Sequence, residues 1–305
     1  MPLKKMNEKI LATNIYTTLN ISKIRDYITL TKPRLLSSVL FSTAVGYILP
    51  ANNVATVSPL IYLLFGTTLL GAGAHTLNQW MEQVPDSKMQ RTKNRPLPNG
   101  RLSKNGALIF GTFISIAGIT TLWMSINLLT AAIGLLTIIS YLLIYTPLKK
   151  KTIANTWVGG ITGALPPVIG WSAAKGTLDL EVLPIFALLY FWQLPHFFAI
   201  AWMYRDDYRS GGFKMLSLED TTGKRTSFQM LLYGGLLFFP STAIFVIGQG
   251  SLFYLLSSII LGLGFLAVIF LFFRKSNFEN ARKVFLASII YLPLLSSIII
   301  MDRFI

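Results

Sequence analysis

The 305-residue sequence contains no cysteine, two histidines and only twelve acidic residues. Without cysteine, disulfide bonds, thiolate catalysis and cysteine-ligated metal centres are excluded. Residues 1–26 also lack the apolar stretch of a secretory signal, and Glu8 and Asp26 are atypical of an organellar transit peptide. We therefore expect a cytoplasmic N-terminal segment at 1–26, a single domain at 27–305, and a location in a bacterial plasma membrane.

Long apolar runs recur along the chain, and hydrophobic residues make up 53% of it. A helix of about 20 apolar residues crosses the hydrocarbon core of a bilayer, where each backbone polar group needs an internal partner. The sequence predicts an all-α polytopic membrane protein with nine transmembrane helices and a cytoplasmic cap of loops. The nine predicted spans are 33–50, 58–80, 105–124, 127–146, 155–173, 181–203, 228–248, 251–273 and 283–301.

The net charge of +15 is unevenly distributed. If the N-terminus is cytoplasmic, 25 of the 27 lysines and arginines fall on the cytoplasmic side, and Lys175 and Arg303 remain on the other. The positive-inside rule then predicts a cytoplasmic N-terminus and an external C-terminus. Orientation and attraction to anionic membrane lipid account for most of these cations, so no nucleic acid partner is expected.

Asn78, Glu82 and Asp86 stand at i, i+4 and i+8 where the second apolar run ends, a spacing that predicts one helical face. Mg²⁺ prefers one or two carboxylates together with phosphate oxygens and water, and lysine and arginine bind phosphate oxygens. Pro85 leaves open whether Asp86 stays on this face. The candidate diphosphate-binding cations are Lys88, Arg91, Lys93 and Arg95, with Arg34 and Lys149 from other helix ends.

A second acidic pair, Asp206 and Asp207, follows the sixth apolar run. Under the predicted topology the second and sixth spans both run inward, so both acidic groups reach the same membrane face. One metal–diphosphate site between Asn78, Glu82, Asp86 and this pair is therefore predicted. The alternative is that Asp206 and Asp207 only pair with neighbouring arginines.

His196 lies inside the sixth predicted span, directly after Pro195. An ionisable residue within a membrane helix is a candidate for function. The alternative is that the imidazole bonds a carbonyl group freed by the proline. His75, in the second span, is expected to be a packing or supporting residue.

Several strings resemble the protoheme IX farnesyltransferase (haem O synthase) family, a branch of the UbiA-type intramembrane prenyltransferases. The resemblance runs from about residue 25 to the end of the chain, and RTKNRPLP and WQLPHF are typical of the haem branch. The strings are LTKPR at 30–34, the Asn-Glu-Asp motif followed by KMQRTKNRPLP at 88–98, YTPLKK at 145–150, GALPPVIGW at 163–171, WQLPHF at 192–197 and DYRSGGFKML at 207–216.

The resemblance implies helices around a central cavity and transfer of a farnesyl group from farnesyl diphosphate to a vinyl group of haem b, with addition of water. It implies Mg²⁺ as cofactor, bound by Asn78, Glu82 and Asp86. Tyr145 and Lys149 match a pattern of the wider family. The sixth span lacks that family's regularly spaced aspartates, so we interpret His196 and Gln193 as haem-binding.

His196 is expected to ligate or orient the haem iron, or to take up a proton of the added water. Trp80, Tyr145 and Trp192 are candidates for stabilising an allylic cation. Haem A synthase and oxidase-assembly factors are implied as partners.

Two other functions remain open from the residues themselves. One is prenyl transfer to another acceptor, such as a quinone ring or a chlorophyllide, which the WQLPHF string disfavours. The other is a transport or lipid-binding protein without enzymatic activity. Transporters place binding groups near the bilayer midplane, whereas the acids of this chain lie near predicted span ends.

Overall fold

The computed structural model describes residues 22–50 and 57–303, and these form helices and connecting turns with no β-strand among them. Most of the predicted N-terminal segment 1–26 lies outside the described residues. The helices after residue 32 are α1 (Pro33–Ile48), α2 (Val57–Met81), α3 (Gln83–Lys88), α4 (Lys104–Ser125), α5 (Leu128–Leu148), α6 (Asn155–Gly163), α7 (Pro166–Lys175), α8 (Leu183–Met203), α9 (Arg205–Ser210), α10 (Leu216–Glu219), α11 (Lys224–Val246), α12 (Leu252–Arg274) and α13 (Phe278–Met301).

Within the described residues, seven helices are long and apolar enough to cross a membrane, namely α2, α4, α5, α8, α11, α12 and α13. The fold is therefore that of an all-helical, multi-pass membrane protein. The other two predicted spans are built differently. α1 has 16 residues, and 155–173 is divided into α6 and α7 just before Pro166, because a proline cannot donate the backbone hydrogen bond of a continuous helix. The count of nine spans stays a prediction.

α1 and α7 cross in close contact, and glycine makes this possible. A Cβ atom on Gly170 would overlap the backbone of Thr43 and Tyr47, and one on Gly46 would overlap the Pro167 carbonyl. Small residues at such crossings let two membrane helices approach closely. The crossing fixes the C-terminal half of α1 against α7, and Lys32 lies directly before the N-terminus of α1.

Replacing Gly170 by alanine is expected to destabilise the protein, because the new Cβ must push α1 away from α7. Overpacking of this kind costs about 1–3 kcal/mol. The matched control is Gly235→Ala in α11, where a Cβ meets no atom and helix propensity favours alanine by about 1 kcal/mol. Thermal unfolding in detergent measures both. Equal midpoints for the two variants would show that the crossing tolerates a methyl group.

The C-terminal part of α5 departs from regular α-helix over Ser140–Tyr145, where the turns are π-helical. Thr146 donates its hydroxyl hydrogen to the Tyr141 carbonyl, 2.8 Å away and five residues back. Such π-turns often occur at functional sites. Here the π-turns and the residues after them bring Tyr145, Thr146 and Lys149 toward the end of α2.

Candidate active site

Asn78, Glu82 and Asp86 keep one helical register across the junction of α2 and α3. The Glu82 amide donates to the Asn78 carbonyl (2.9 Å), and the Asp86 amide donates to the Glu82 carbonyl (2.8 Å). Pro85 lies within α3, so it does not turn Asp86 away. All three polar side chains are buried, with 1%, 5% and 1% of their surfaces exposed.

Each of the two carboxylates is paired with a cation. Lys149 Nζ lies 2.8 Å from Glu82 Oε1, and Arg95 Nη1 lies 2.6 Å from Asp86 Oδ2. Burial by itself lowers the pKa of Lys149, but the Glu82 carboxylate together with the Tyr145 and Tyr141 side chains raises that pKa above the usual value. Carboxylates near the C-terminus of a helix oppose its dipole, and these two cations compensate for that placement.

Asn78 joins two further elements to the site. Its amide nitrogen donates to the Thr146 hydroxyl (3.1 Å), and its amide oxygen accepts from Lys32 Nζ (3.2 Å). Lys32 has φ of 51°, the only positive φ of a non-glycine residue in the described part of the chain. Loss of hydration, followed by repulsion from Arg95, lowers the pKa of Lys32 to about 7.

Lys32 was missed as a site residue from the sequence, although it lies within the LTKPR string. The available signal was its position directly before Pro33, because a following proline disfavours the right-handed α conformation. Only the fold shows that this geometry directs the ammonium group to Asn78.

The donor set of this cluster fits a hard divalent cation. Asp86 Oδ1 is buried and has no hydrogen-bond partner, so one carboxylate oxygen is available for a ligand. Glu82 and Asn78 supply further oxygens of the kind Mg²⁺ prefers. No group of three or more histidine or acidic side chains converges anywhere in residues 22–50 and 57–303. Phosphate oxygens and water would therefore have to complete the coordination of a metal bound here.

The second acidic pair has other partners. Asp206 is exposed and forms an ion pair with Arg209 at 2.7 Å. Asp207 accepts from the backbone amides of Gln90 (2.9 Å) and Arg91 (3.2 Å). α8 ends at Met203, so both acids lie on the separate helix α9. The structure does not bring them into one cluster with Glu82 and Asp86, and their assignment as metal ligands stays a prediction without geometric support.

The predicted diphosphate-binding cations separate into three groups. Arg95 and Lys149 contact the carboxylates. The Arg91 guanidinium lies instead over the Tyr204 ring, 4.7 Å from its centroid. The remaining members of the set are exposed at the surface, namely Arg34, Lys88 and Lys93.

The candidate aromatic residues also differ in position. The Tyr145 ring lies 4.8 Å from Lys149 Nζ and stacks on Tyr141 with centroids 5.7 Å apart, so it belongs to the site. Trp80 lies under the ammonium group of Lys104 at 5.3 Å. Trp192 belongs to a separate group around His196.

His196 does not bond a carbonyl group freed by Pro195. Its Nδ1 lies 2.7 Å from the Ser288 hydroxyl of α13, and its ring stacks between Trp192 and Phe285. Gln193, predicted to bind haem, donates to the Gly160 carbonyl at 2.7 Å and is buried, so its amide nitrogen serves helix packing.

His75 is buried one turn before Asn78 on α2. Neither of its ring nitrogens has a hydrogen-bond partner among the described residues. The expectation that it is a packing or supporting residue is neither confirmed nor contradicted.

Residues 39–291 match the UbiA prenyltransferase family, and the chain belongs to this family. It is therefore a multi-pass membrane prenyltransferase. Its relatives include the protoheme IX farnesyltransferase of Solibacter usitatus, 43% identical over 289 residues, which cover 92% of this chain and 99% of the relative. The protoheme IX farnesyltransferase of Opitutus terrae is 38% identical over 92% of this chain and 96% of the relative.

Solved structures share the same fold at low identity. A digeranylgeranylglyceryl phosphate synthase superposes with a TM-score of 0.77 at 18% identity, covering 92% of this chain and 99% of the other. A UbiA homologue of Archaeoglobus fulgidus bound to GPP and Mg²⁺ superposes with a TM-score of 0.66 at 13% identity, covering 90% and 99%. These likenesses support the UbiA fold of the chain.

Proposed function

We propose that this protein transfers the farnesyl group of farnesyl diphosphate to a vinyl group of haem b, with addition of water. The observation that carries the proposal is the pair of buried carboxylate–cation contacts, Glu82 with Lys149 and Asp86 with Arg95, at the end of a membrane helix. The names of the relatives and the family support the same reaction.

Arg95, Lys149 and Lys32 surround the place where a diphosphate would lie. When the C1–O bond of the substrate breaks, its electron pair stays on the diphosphate, and these cations stabilise the negative charge that develops there. Mg²⁺, held by Glu82, Asp86 and Asn78, would supply further charge stabilisation. The Tyr145 ring presents a π face to cationic groups and is placed to stabilise the allylic cation in the same way.

The vinyl group supplies the electron pair for the new bond. Its terminal carbon attacks C1 of the farnesyl group, which leaves a positive charge on the vinyl carbon next to the porphyrin ring. A water oxygen adds to that carbon and one proton is released, so farnesyl diphosphate, haem b and water yield hydroxyethylfarnesyl haem and diphosphate. The apolar helices exclude bulk water, which would otherwise capture the allylic cation.

We place haem beside His196, because its imidazole is a haem-iron ligand type and lies in an aromatic group on the WQLPHF string. The N-terminus is proposed to be cytoplasmic, in a bacterial inner membrane. Haem A synthase and oxidase-assembly factors are the proposed partners, as the consumers of a farnesylated haem.

Replacing His196 by alanine is expected to lower haem O formation by about tenfold or more, the scale on which groups that position a reacting partner contribute. Binding of farnesyl diphosphate should stay within about twofold of wild type, because His196 makes no contact with the Glu82 and Asp86 cluster. Quantification of haem O measures product formation, and a binding isotherm for farnesyl diphosphate measures substrate affinity separately. If both are lost together, His196 has a structural role.

The direct test is an assay of purified protein with haem b, farnesyl diphosphate and Mg²⁺, followed by mass analysis of the haem product. The expected product carries one farnesyl group and one water. If haem is unchanged while a quinone or a chlorophyllide is prenylated under the same conditions, the acceptor is not haem and the proposal is wrong.

A further inference from the structure

Ser288 lies on α13, distant in sequence from every string that pointed to function. It nevertheless forms hydrogen bonds with two residues of the WQLPHF string. Trp192 Nε1 donates to the Ser288 carbonyl at 3.0 Å, and His196 Nδ1 lies 2.7 Å from the Ser288 hydroxyl oxygen. Trp192 and His196 are four residues apart on α8, so they project from one face. Ser288 itself is fully buried.

The hydrogen bonds of Ser288 determine which nitrogen of His196 carries the proton. The Ser288 hydroxyl lies 2.6 Å from the Phe285 carbonyl oxygen. A carbonyl only accepts, so the single hydroxyl hydrogen must point to it. The Ser288 oxygen can then only accept from the imidazole. His196 therefore carries its hydrogen on Nδ1, and Nε2 has the free lone pair.

Nε2 is free to bind a ligand. It has no hydrogen-bond partner in residues 22–50 and 57–303, and unlike both nitrogens of His75 it is not sealed inside the protein. The ring plane is held by stacking on Trp192 at 5.5 Å and on Phe285 at 5.1 Å, distances typical of aromatic pairs. Orientation and tautomer are thus both set before any ligand binds.

We propose that Ser288 is a positioning residue that fixes the Nδ1–H tautomer of His196, so that Nε2 ligates the iron of the haem substrate. The proposal rests on the proposed function, since it takes haem as the acceptor. Histidines that bind metal are commonly held in this way, with the second ring nitrogen donating to an oxygen of the protein. The two contacts also link α8 to α13, so the iron ligand is supported from both helices.

The tautomer can be measured on the unaltered protein. The chain has only two histidines, so ¹⁵N-histidine labelling gives two imidazoles, and a His75→Phe variant assigns them. The expected result is a protonated Nδ1 and an unprotonated Nε2 on His196 near neutral pH. A protonated Nε2 on the assigned His196 of the wild-type protein would overturn the proposal.

The second experiment follows haem binding without farnesyl diphosphate, by Soret titration and by the iron–histidine stretching band of ferrous haem. Ser288→Ala is expected to raise the Kd for haem by about 10- to 100-fold, the usual cost of losing a group behind a metal ligand, and to shift that band. Ser288→Thr, which keeps the hydroxyl, should restore the wild-type band position. Ser296→Ala, at another buried serine of α13, should leave both unchanged.

Two results would contradict the proposal. One is that the His196→Ala variant keeps the iron–histidine band of the wild type. The other is that the Ser288→Ala variant binds haem with unchanged affinity and shows an unchanged band. The proposed function is contradicted by a different result, namely that the wild-type protein forms no farnesylated haem in the assay above. A wild type that makes haem O but binds haem iron through another group contradicts only the role of His196 and Ser288.

Discussion

Replacing Asp86 by asparagine, or Glu82 by glutamine, is expected to lower Mg²⁺-dependent turnover by about 10²–10³-fold, the scale of removing one preorganised group that stabilises charge in the transition state. The amides keep the shape of the side chains but remove the negative charge that would hold Mg²⁺. Asp86 contributes the buried oxygen without a partner, so its replacement should have the larger effect. Product formation across a Mg²⁺ titration measures this, and chelation should reduce wild type to the same level.

Two comparison variants make the result specific. Glu279→Gln changes an exposed acid at the start of α13 and should leave turnover unchanged. Asp206→Asn should retain most activity, because this carboxylate is exposed and pairs with Arg209. A loss as large as that of Asp86→Asn would contradict a metal site whose acids come from α2 and α3 alone and support the two-cluster prediction.

Replacing Lys149 by methionine is expected to destabilise the protein by about 3–5 kcal/mol, because Glu82 is left as a buried carboxylate without its cation. The apolar part of the side chain is kept, so lost packing contributes little. Thermal unfolding in detergent measures the change. Turnover should fall as well, since Lys149 is also expected to bind the leaving diphosphate.

The matched control is Lys175→Met at the end of α7. Lys175 also forms ion pairs, with Asp179 at 3.0 Å and Glu181 at 3.2 Å, but these side chains keep about a third or more of their surface in contact with solvent. Surface ion pairs contribute about 0–1 kcal/mol, so little change is expected. Equal destabilisation by both substitutions would show that burial does not make the Glu82–Lys149 pair more stabilising than a surface ion pair.

The transmembrane character of the fold was predictable, because it depends on local properties of the chain. Runs of about twenty apolar residues are readable from sequence alone, and seven of them are long membrane-type helices within the described residues. The division of 155–173 at Pro166 was foreseeable as a kink, since proline removes a hydrogen bond. The close crossing of α1 and α7 was not foreseeable, because it depends on the contacts of Gly46 and Gly170 with residues distant in sequence.

The site was predictable only in part, because only some of its contacts join residues that are close in sequence. The register of Asn78, Glu82 and Asp86 is local, and it is confirmed by two successive backbone hydrogen bonds. Among the predicted cations, sequence proximity did not distinguish Arg95, which reaches Asp86, from Lys93, which is exposed. That difference arises from the path of the loop after α3.

The sequence by itself determined the membrane class, the helical face that carries Asn78, Glu82 and Asp86, and the strings that mark the family. Each of these is a short-range property, set by hydrophobic transfer, helical periodicity or residue identity. Only the tertiary structure decided that Lys32 reaches Asn78, that Asp207 binds the loop after α3, and that Ser288 contacts His196. These contacts join residues distant in sequence, and their geometry is set by how the helices pack rather than by any local pattern.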